Sequence, residues 1–208
     1  MTSFRASWSA LLDLLAPPRC PACDSLVEPG LEVFCQACGP LLEPRVRGPA
    51  TYVYGGPLAD ALRRFKYGGH VEVARPLGAL FAEAAHARYA GRVDHVVAIP
   101  ADSGRRRARG YDPTLLLAAP VAKALGARLA PRLLVRTRGG LAQASLRRRA
   151  REQNVHGLFE AREQARGLRI LLLDDVRTTG ATLLEARRAL ALQQPTALYA
   201  LAFAAVEA

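Results

Sequence analysis

The chain has 208 residues, 50% of them hydrophobic, which is enough for one α/β domain and a small appendage. Its longest apolar run, Ala197 to Val206, is far shorter than the roughly 20 residues of a membrane-spanning helix, so no membrane insertion is expected. The net charge of +11 is concentrated: residues 103–151 hold thirteen basic residues and one acid, Asp112, whereas residues 1–50 hold four arginines and five acids.

Trp8, Leu11, Leu12 and Leu15 fall at helical spacing and predict an amphipathic helix. Asp13 interrupts that apolar stretch and no small-residue cleavage site stands out, so no signal peptide is expected and the protein is read as cytoplasmic. Four cysteines follow in the pattern Cys20-x2-Cys23-x11-Cys35-x2-Cys38, among many Pro and Gly residues. Two such knuckles have the spacing of a four-thiolate zinc site. A closed four-sulfur site leaves no open position, so the zinc is expected to be structural. Two disulfides and an iron–sulfur cluster are the alternatives. The knuckle and the helix before it are read as one unit, residues 1–48, and residues 49–208 as an α/β domain.

In that domain short apolar runs alternate with helical patterns. Strands are expected at Thr51–Tyr54, Val93–Ile99, Leu133–Arg136, Leu158–Ala161, Ile170–Leu173 and Ala197–Val206. Helices are expected at Leu58–Tyr67, Pro76–Tyr89, Thr114–Leu125 and Thr182–Gln193, with Pro120 kinking or interrupting the third. This alternation predicts a parallel sheet covered by helices on both faces.

The chemistry concentrates after Ile170. Four apolar residues end in Asp174-Asp175, then Val176-Arg177, Thr178-Thr179-Gly180-Ala181-Thr182 and a helix. Such a turn aims backbone N–H groups at one point, and the helix dipole adds positive potential there. Thr hydroxyls can donate to phosphate oxygens. Two adjacent carboxylates can accept from neighbouring ribose hydroxyls. The pattern fits a ribose 5-phosphate, bound where open α/β sheets bind ligands. It is not a Walker A loop, which would need G-x4-G-K-[ST].

With these pieces in order, the sequence resembles the ComF family, the phosphoribosyltransferase-like proteins of bacterial competence. The resemblance takes in the cysteine knuckles, Tyr54-Gly55-Gly56-Pro57-Leu58 and Lys66-Tyr67-Gly68. It also takes in Ile99-Pro100, Arg106-Arg107-Ala108-Arg109-Gly110-Tyr111, Gln143, Leu146, Arg151, Asn154-Val155, Gly157-Leu158-Phe159 and the phosphate loop. It implies a type I phosphoribosyltransferase-like parallel sheet flanked by helices, with a small N-terminal four-cysteine zinc knuckle. By the same resemblance Asp174 and Asp175 bind the ribose of phosphoribosyl pyrophosphate (PRPP). Thr178, Thr179, Gly180, Ala181 and Thr182 cradle its 5-phosphate, and Pro100, Ala101, Asp102 and Ser103 meet the pyrophosphate with Mg²⁺. Where the family carries Asn or Gln after the aromatic of its R-G-[FY] motif, this chain has Asp112-Pro113. The implied role is uptake or processing of transforming DNA, with competence or recombination proteins as partners. The alternative is an active transferase moving phosphoribosyl from PRPP to a nitrogen nucleophile such as a nucleobase. No base-recognising residue stands out, which favours the binding role.

Two arginine clusters remain: Arg105, Arg106, Arg107 and Arg109, and Arg147, Arg148, Arg149 and Arg151. They fit a solvated surface, a pyrophosphate clamp or a nucleic-acid interface. Guanidinium forks meet phosphate oxygens bidentately, and eight are more than one pyrophosphate needs. Single-stranded DNA is the expected partner, with Tyr111 as a stacking face for an unpaired base.

Overall fold

The most apolar stretch of the chain, Ile170 to Leu173, lies in the middle strand of the sheet and is wholly buried. A computed structural model describes residues 17–28, 33–137, 157–162 and 165–207. In chain order the strands are β1 (Ala50–Val53), β2 (His95–Ala98), β3 (Arg128–Leu129), β4 (Leu134–Arg136), β5 (Phe159–Ala161), β6 (Arg169–Arg177) and β7 (Ala197–Ala205). The α-helices are α1 (Gly56–Tyr67), α2 (Ala74–Tyr89), α3 (Ser103–Arg109), α4 (Pro113–Ala124) and α5 (Ala181–Ala191). Five strands form one sheet in the order β1-β7-β6-β2-β3, and every pair is parallel.

Burial on both faces explains the unbroken apolar run of β6. Leu171 and Leu173 point into a core with Val96, Leu62, Phe81 and Val121, under α1, α2 and α4. Ile170 and Leu172 point into a second core with Val97, Ile99, Ala186 and Leu190, under α5. Leu172 has no exposure, so truncation to Ala would cost about 2–5 kcal/mol.

The structure departs from the sequence expectations in three places. The strand does not stop at Leu173, because β7 keeps pairing with it through Asp174↔Ala202, Val176↔Ala204 and Arg177↔Ala205. Leu134–Arg136 and Phe159–Ala161 do not join the parallel sheet but pair antiparallel with each other, through Leu134↔Ala161 and Arg136↔Phe159. Their neighbours Leu133 and Leu158 still bury against the α5 side. Helix α4 runs through Pro120 without interruption. The ring of Pro120 fits against Gly78 of α2, where an added Cβ would come within 2.6 Å of its Cγ, so packing outweighs the lost helical hydrogen bond. The arginine run, for which the sequence set no element, forms helix α3. Asp102 caps it by accepting from Gly104 N and Arg105 N, both at 3.1 Å, and Gly110 at φ 84° ends it.

The cysteine knuckle is not a separate lobe. Cys20 and Phe34 bury in the same core as Leu58, Leu62 and Phe65. The segment leading away from it runs beside β1, with Val53 N donating to Glu43 O at 2.9 Å and Arg45 N to Thr51 O at 2.7 Å. The helix expected around Trp8, Leu11, Leu12 and Leu15 lies outside the described residues.

Candidate functional site

Parallel pairing lines up the carboxyl ends of β6 and β2. Ala98 faces Leu173, and Ile99 N donates to Leu173 O at 2.9 Å. The chain leaving β2 at Pro100 therefore lies next to Asp174. The side chain of Asp174 is buried and its Oδ1 accepts from Asp175 N at 2.9 Å. Burial pushes its pKa up to about 7, the charge of Asp175 adds to the rise, and Lys66 opposes it. Asp175 stays partnered: Lys66 Nζ reaches its Oδ1 at 2.7 Å, and Val176 N donates to the same oxygen at 2.6 Å. Lys66 comes from the last turn of α1, so this helix delivers a cation to the acidic pair.

After β6 the chain turns through Thr178 and Thr179, both exposed, and enters α5 through Gly180 at φ 83°. That left-handed conformation suits glycine, and a Cβ there would lie 2.7 Å from Arg177 Nε. Thr179 Oγ1 accepts from Ala181 N at 3.3 Å. Thr178, Thr179, Gly180, Ala181 and Thr182 thus form the turn between strand and helix start, at the same end of the sheet as the acidic pair. The Pro100–Ser103 loop is fixed from below by Asp112, whose Oδ2 accepts from Ala101 N at 2.9 Å and whose Oδ1 caps α4 through Leu115 N at 3.2 Å. An Asn would keep an acceptor for one of these bonds but not both as carboxylate oxygens. This is a structural use for the Asp112 departure.

The arginines divide into two groups. Arg105, Arg106 and Arg107 are exposed on α3. Arg109 and Tyr111 instead brace the end of α1. Arg109 Nε donates to Lys66 O at 2.5 Å and its guanidinium lies 5.6 Å from the Tyr67 ring centroid. Tyr111 stacks on Phe65 at 5.5 Å between ring centroids, and its hydroxyl donates to Phe65 O. Arg147, Arg148, Arg149 and Arg151 lie outside the described residues. Sequence reasoning did not single out Lys66 as a site residue; only its place in a family motif pointed to it.

The four cysteines converge. Their sulfurs all lie within 4.8 Å of one another, and those of Cys23 and Cys35 are 3.6 Å apart. Sulfurs at 2.3 Å from a tetrahedral zinc sit about 3.8 Å from each other, so the donor set and spacing fit that ion. Ser25 beside Cys23 brings its pKa down to about 6, whereas burial raises that of Cys38. Helix α1 holds the first knuckle: Arg64 donates to Cys20 O at 3.5 Å, Pro21 O at 3.4 Å and Ala22 O at 3.3 Å, and pairs with Asp24 at 2.8 Å. Arg64 at the knuckle and Lys66 at the acidic pair are two residues apart on one helix.

An acidic pair and a Thr-Gly turn on a helix-flanked parallel sheet, with a four-cysteine ribbon attached, define a phosphoribosyltransferase-like chain. The double zinc ribbon domain family matches residues 11–70. The DNA utilization protein YhgH of Salmonella typhimurium is 30% identical over 171 residues, covering 80% of this chain and 74% of that relative. Its Escherichia coli K12 counterpart is 28% identical over 170 residues with the same coverage. The chain belongs to the ComF family, that of the YhgH DNA utilization proteins. Partial structural likeness extends to an allosteric regulatory enzyme of purine biosynthesis, with TM-score 0.44 and 20% identity. It extends also to the glutamine PRPP amidotransferase of B. subtilis, with TM-score 0.41 and 23% identity. The overlays take in 62% and 60% of this chain but only 26% and 24% of those enzymes. Among the described residues no helix is long and apolar enough to cross a membrane.

Proposed function

We propose that this chain binds PRPP with Mg²⁺ at the carboxyl end of β6 and engages single-stranded DNA through neighbouring arginines, acting in the cytoplasm in uptake or processing of transforming DNA. The observation that carries the ligand reading is the placement of two adjacent carboxylates, Asp174 and Asp175, directly before a turn that enters α5 through a left-handed glycine. The carboxylates accept from vicinal ribose hydroxyls. The turn's amides and Thr hydroxyls, with the α5 dipole, take the 5-phosphate. Pro100, Ala101, Asp102 and Ser103 border the position of the pyrophosphate. Mg²⁺ takes hard oxygen ligands, and the acidic pair and the ligand's own phosphates are of that kind. When bound, the ion neutralises pyrophosphate charge. Lys66, with its Nζ 2.7 Å from Asp175 Oδ1, orients that side chain.

The DNA reading is supported by the name of the relatives and by exposed Arg105, Arg106 and Arg107 on α3. Arg147, Arg148, Arg149 and Arg151 extend it by sequence alone. Arg109 and Tyr111 serve it by bracing the α1 end. Competence or recombination proteins are the partners this role calls for. A second reading, an active phosphoribosyltransferase, has one observation in its favour: with a pKa of about 7, Asp174 can take or give a proton at neutral pH.

A thermal-shift titration tests the ligand reading. At 100 times Kd, PRPP with Mg²⁺ adds about 2.7 kcal/mol, which for a chain of this length raises Tm by roughly 5–11 °C. Asp174→Ala with Asp175→Ala should abolish the shift. An equal shift in the double variant would put the ligand elsewhere. Pyrophosphate release with a panel of bases would establish the second reading.

A further inference from the structure

Beside the Pro100–Ser103 loop lies a cleft of about 270 Å³, bounded on the other side by the β4–β5 ribbon. Three arginines from three elements line it: Arg106 of α3, Arg136 of β4 and Arg162, which follows β5. Among the described residues none of their guanidinium groups has a carboxylate or carbonyl acceptor within bonding distance, and the Nε of Arg136 is buried without a partner. The guanidinium of Arg136 lies 5.7 Å from the Phe159 ring centroid, which holds its stem in place. Desolvation lowers its pKa; Asp102 supports the charge, and Arg105 opposes it. The carboxylate Oδ1 of Asp102 is already taken by the amides at the start of α3. A half-buried cation without its anion is costly, and an incoming phosphate relieves that cost.

We infer that this cleft is a phosphodiester-binding groove, in which Arg106, Arg136 and Arg162 grip successive backbone phosphates of a single strand passing the mouth of the acidic-pair site. The inference rests on the DNA-binding half of the reading above and adds Arg136 and Arg162 to it. The cleft is smaller than the roughly 300–1,000 Å³ of pockets that enclose a small molecule. An open groove with convergent forks suits phosphates threaded along it. Arg105 and Arg107, exposed on the same helix as Arg106, continue the positive surface outward. Phosphate contacts position a strand without reading its bases, so binding is independent of sequence.

The test is fluorescence anisotropy of a labelled oligo-dT against salt concentration, using the full chain. Each phosphate contact on a single strand contributes about 0.7 to the log–log slope. Arg136→Met with Arg162→Met should therefore flatten the slope by about 1.4. Methionine retains packing over Phe159, and the unliganded Tm reports whether the ribbon is intact. Arg106→Gln sits on an exposed helix face and should flatten the slope by about 0.7 without affecting Tm. Phenylglyoxal labelling of the unaltered protein needs no variant: oligo-dT should protect all three arginines, and inorganic pyrophosphate at equal phosphate concentration should not. Unchanged slopes would overturn the proposal. So would equal protection by pyrophosphate, or variants that lose the PRPP shift while keeping the wild-type slope, since either result gives the cleft to a small polyphosphate. A wild-type chain that binds oligo-dT with this slope but shows no PRPP shift would sink the ligand reading and leave the groove standing.

Discussion

Replacing Asp174 by Asn should stabilise the unliganded protein at pH 8 and destroy its ligand site. Burial, with the charge of neighbouring Asp175 adding to it, pushes the pKa of Asp174 up to about 7 from an ordinary value near 3.8. An acid whose folded pKa is raised binds more protons folded than unfolded between the two values. Stability therefore falls as pH rises from about 4 to about 7, and the whole penalty is present above that. Three units would amount to about 4 kcal/mol at 1.36 kcal/mol per unit. Part of the rise belongs to the pair as a whole, so about 2 kcal/mol is the fair expectation for one residue. Asn keeps the oxygen that accepts from Asp175 N at 2.9 Å, so little else is lost. For a chain of this length the gain is roughly 4–8 °C in Tm at pH 8. At pH 5 the native carboxyl is protonated while that of the unfolded chain is mostly ionised, so the gain should shrink without vanishing. Scanning fluorimetry at both pH values is the assay. A variant less stable at pH 8, or one shifted equally at both, would refute the assignment of a strained carboxyl to this position.

Lys66→Met should do the opposite: removing one partner of a pair whose side chains are 16% and 14% exposed should cost about 3 kcal/mol, read from urea unfolding at pH 8. Elemental analysis of protein prepared without added metal should find about one zinc per chain, and two disulfides with no metal would defeat the ribbon reading. Because Cys20 and Phe34 bury in the main core, Cys35→Ser should lose the metal and lower the Tm of the whole chain in a single transition. Arg64→Ala should release zinc to a chelator faster than wild type, since it removes the hydrogen bonds that hold the first knuckle to α1, while the PRPP shift persists.

What the sequence made legible follows from how local each signal is. The apolar run Ile170–Leu173 could only be a buried strand, and the Asp174-Asp175 and Thr178–Thr182 signals sit directly after it. The cysteine spacing carries its own geometry, and the four sulfurs do converge. Other features depend on contacts between distant segments. Pro120 reads as a helix breaker until Gly78, on another helix, makes room for its ring. The ribbon of β4 and β5 cannot be told from two sheet strands by pattern, because short apolar runs look alike in either pairing. Lys66 precedes Asp175 by more than a hundred residues, and only the fold brings them to 2.7 Å. The same holds for Arg136 and Arg162, which are unremarkable in sequence and meet only at the cleft beside Pro100. Tyr111 illustrates the converse: an aromatic beside an arginine run suggests base stacking, yet its ring lies on Phe65.

The proposed function stands on a PRPP site at the carboxyl end of β6, built on Asp174 and Asp175. Isothermal titration of PRPP into the zinc-loaded protein with Mg²⁺ at pH 7.5 measures it directly. The wild type should show a single site per chain, and the Asp174→Ala, Asp175→Ala double variant should remain folded and give no detectable heat of binding. A wild type that takes up no PRPP, or a double variant that binds it with undiminished affinity, would contradict it.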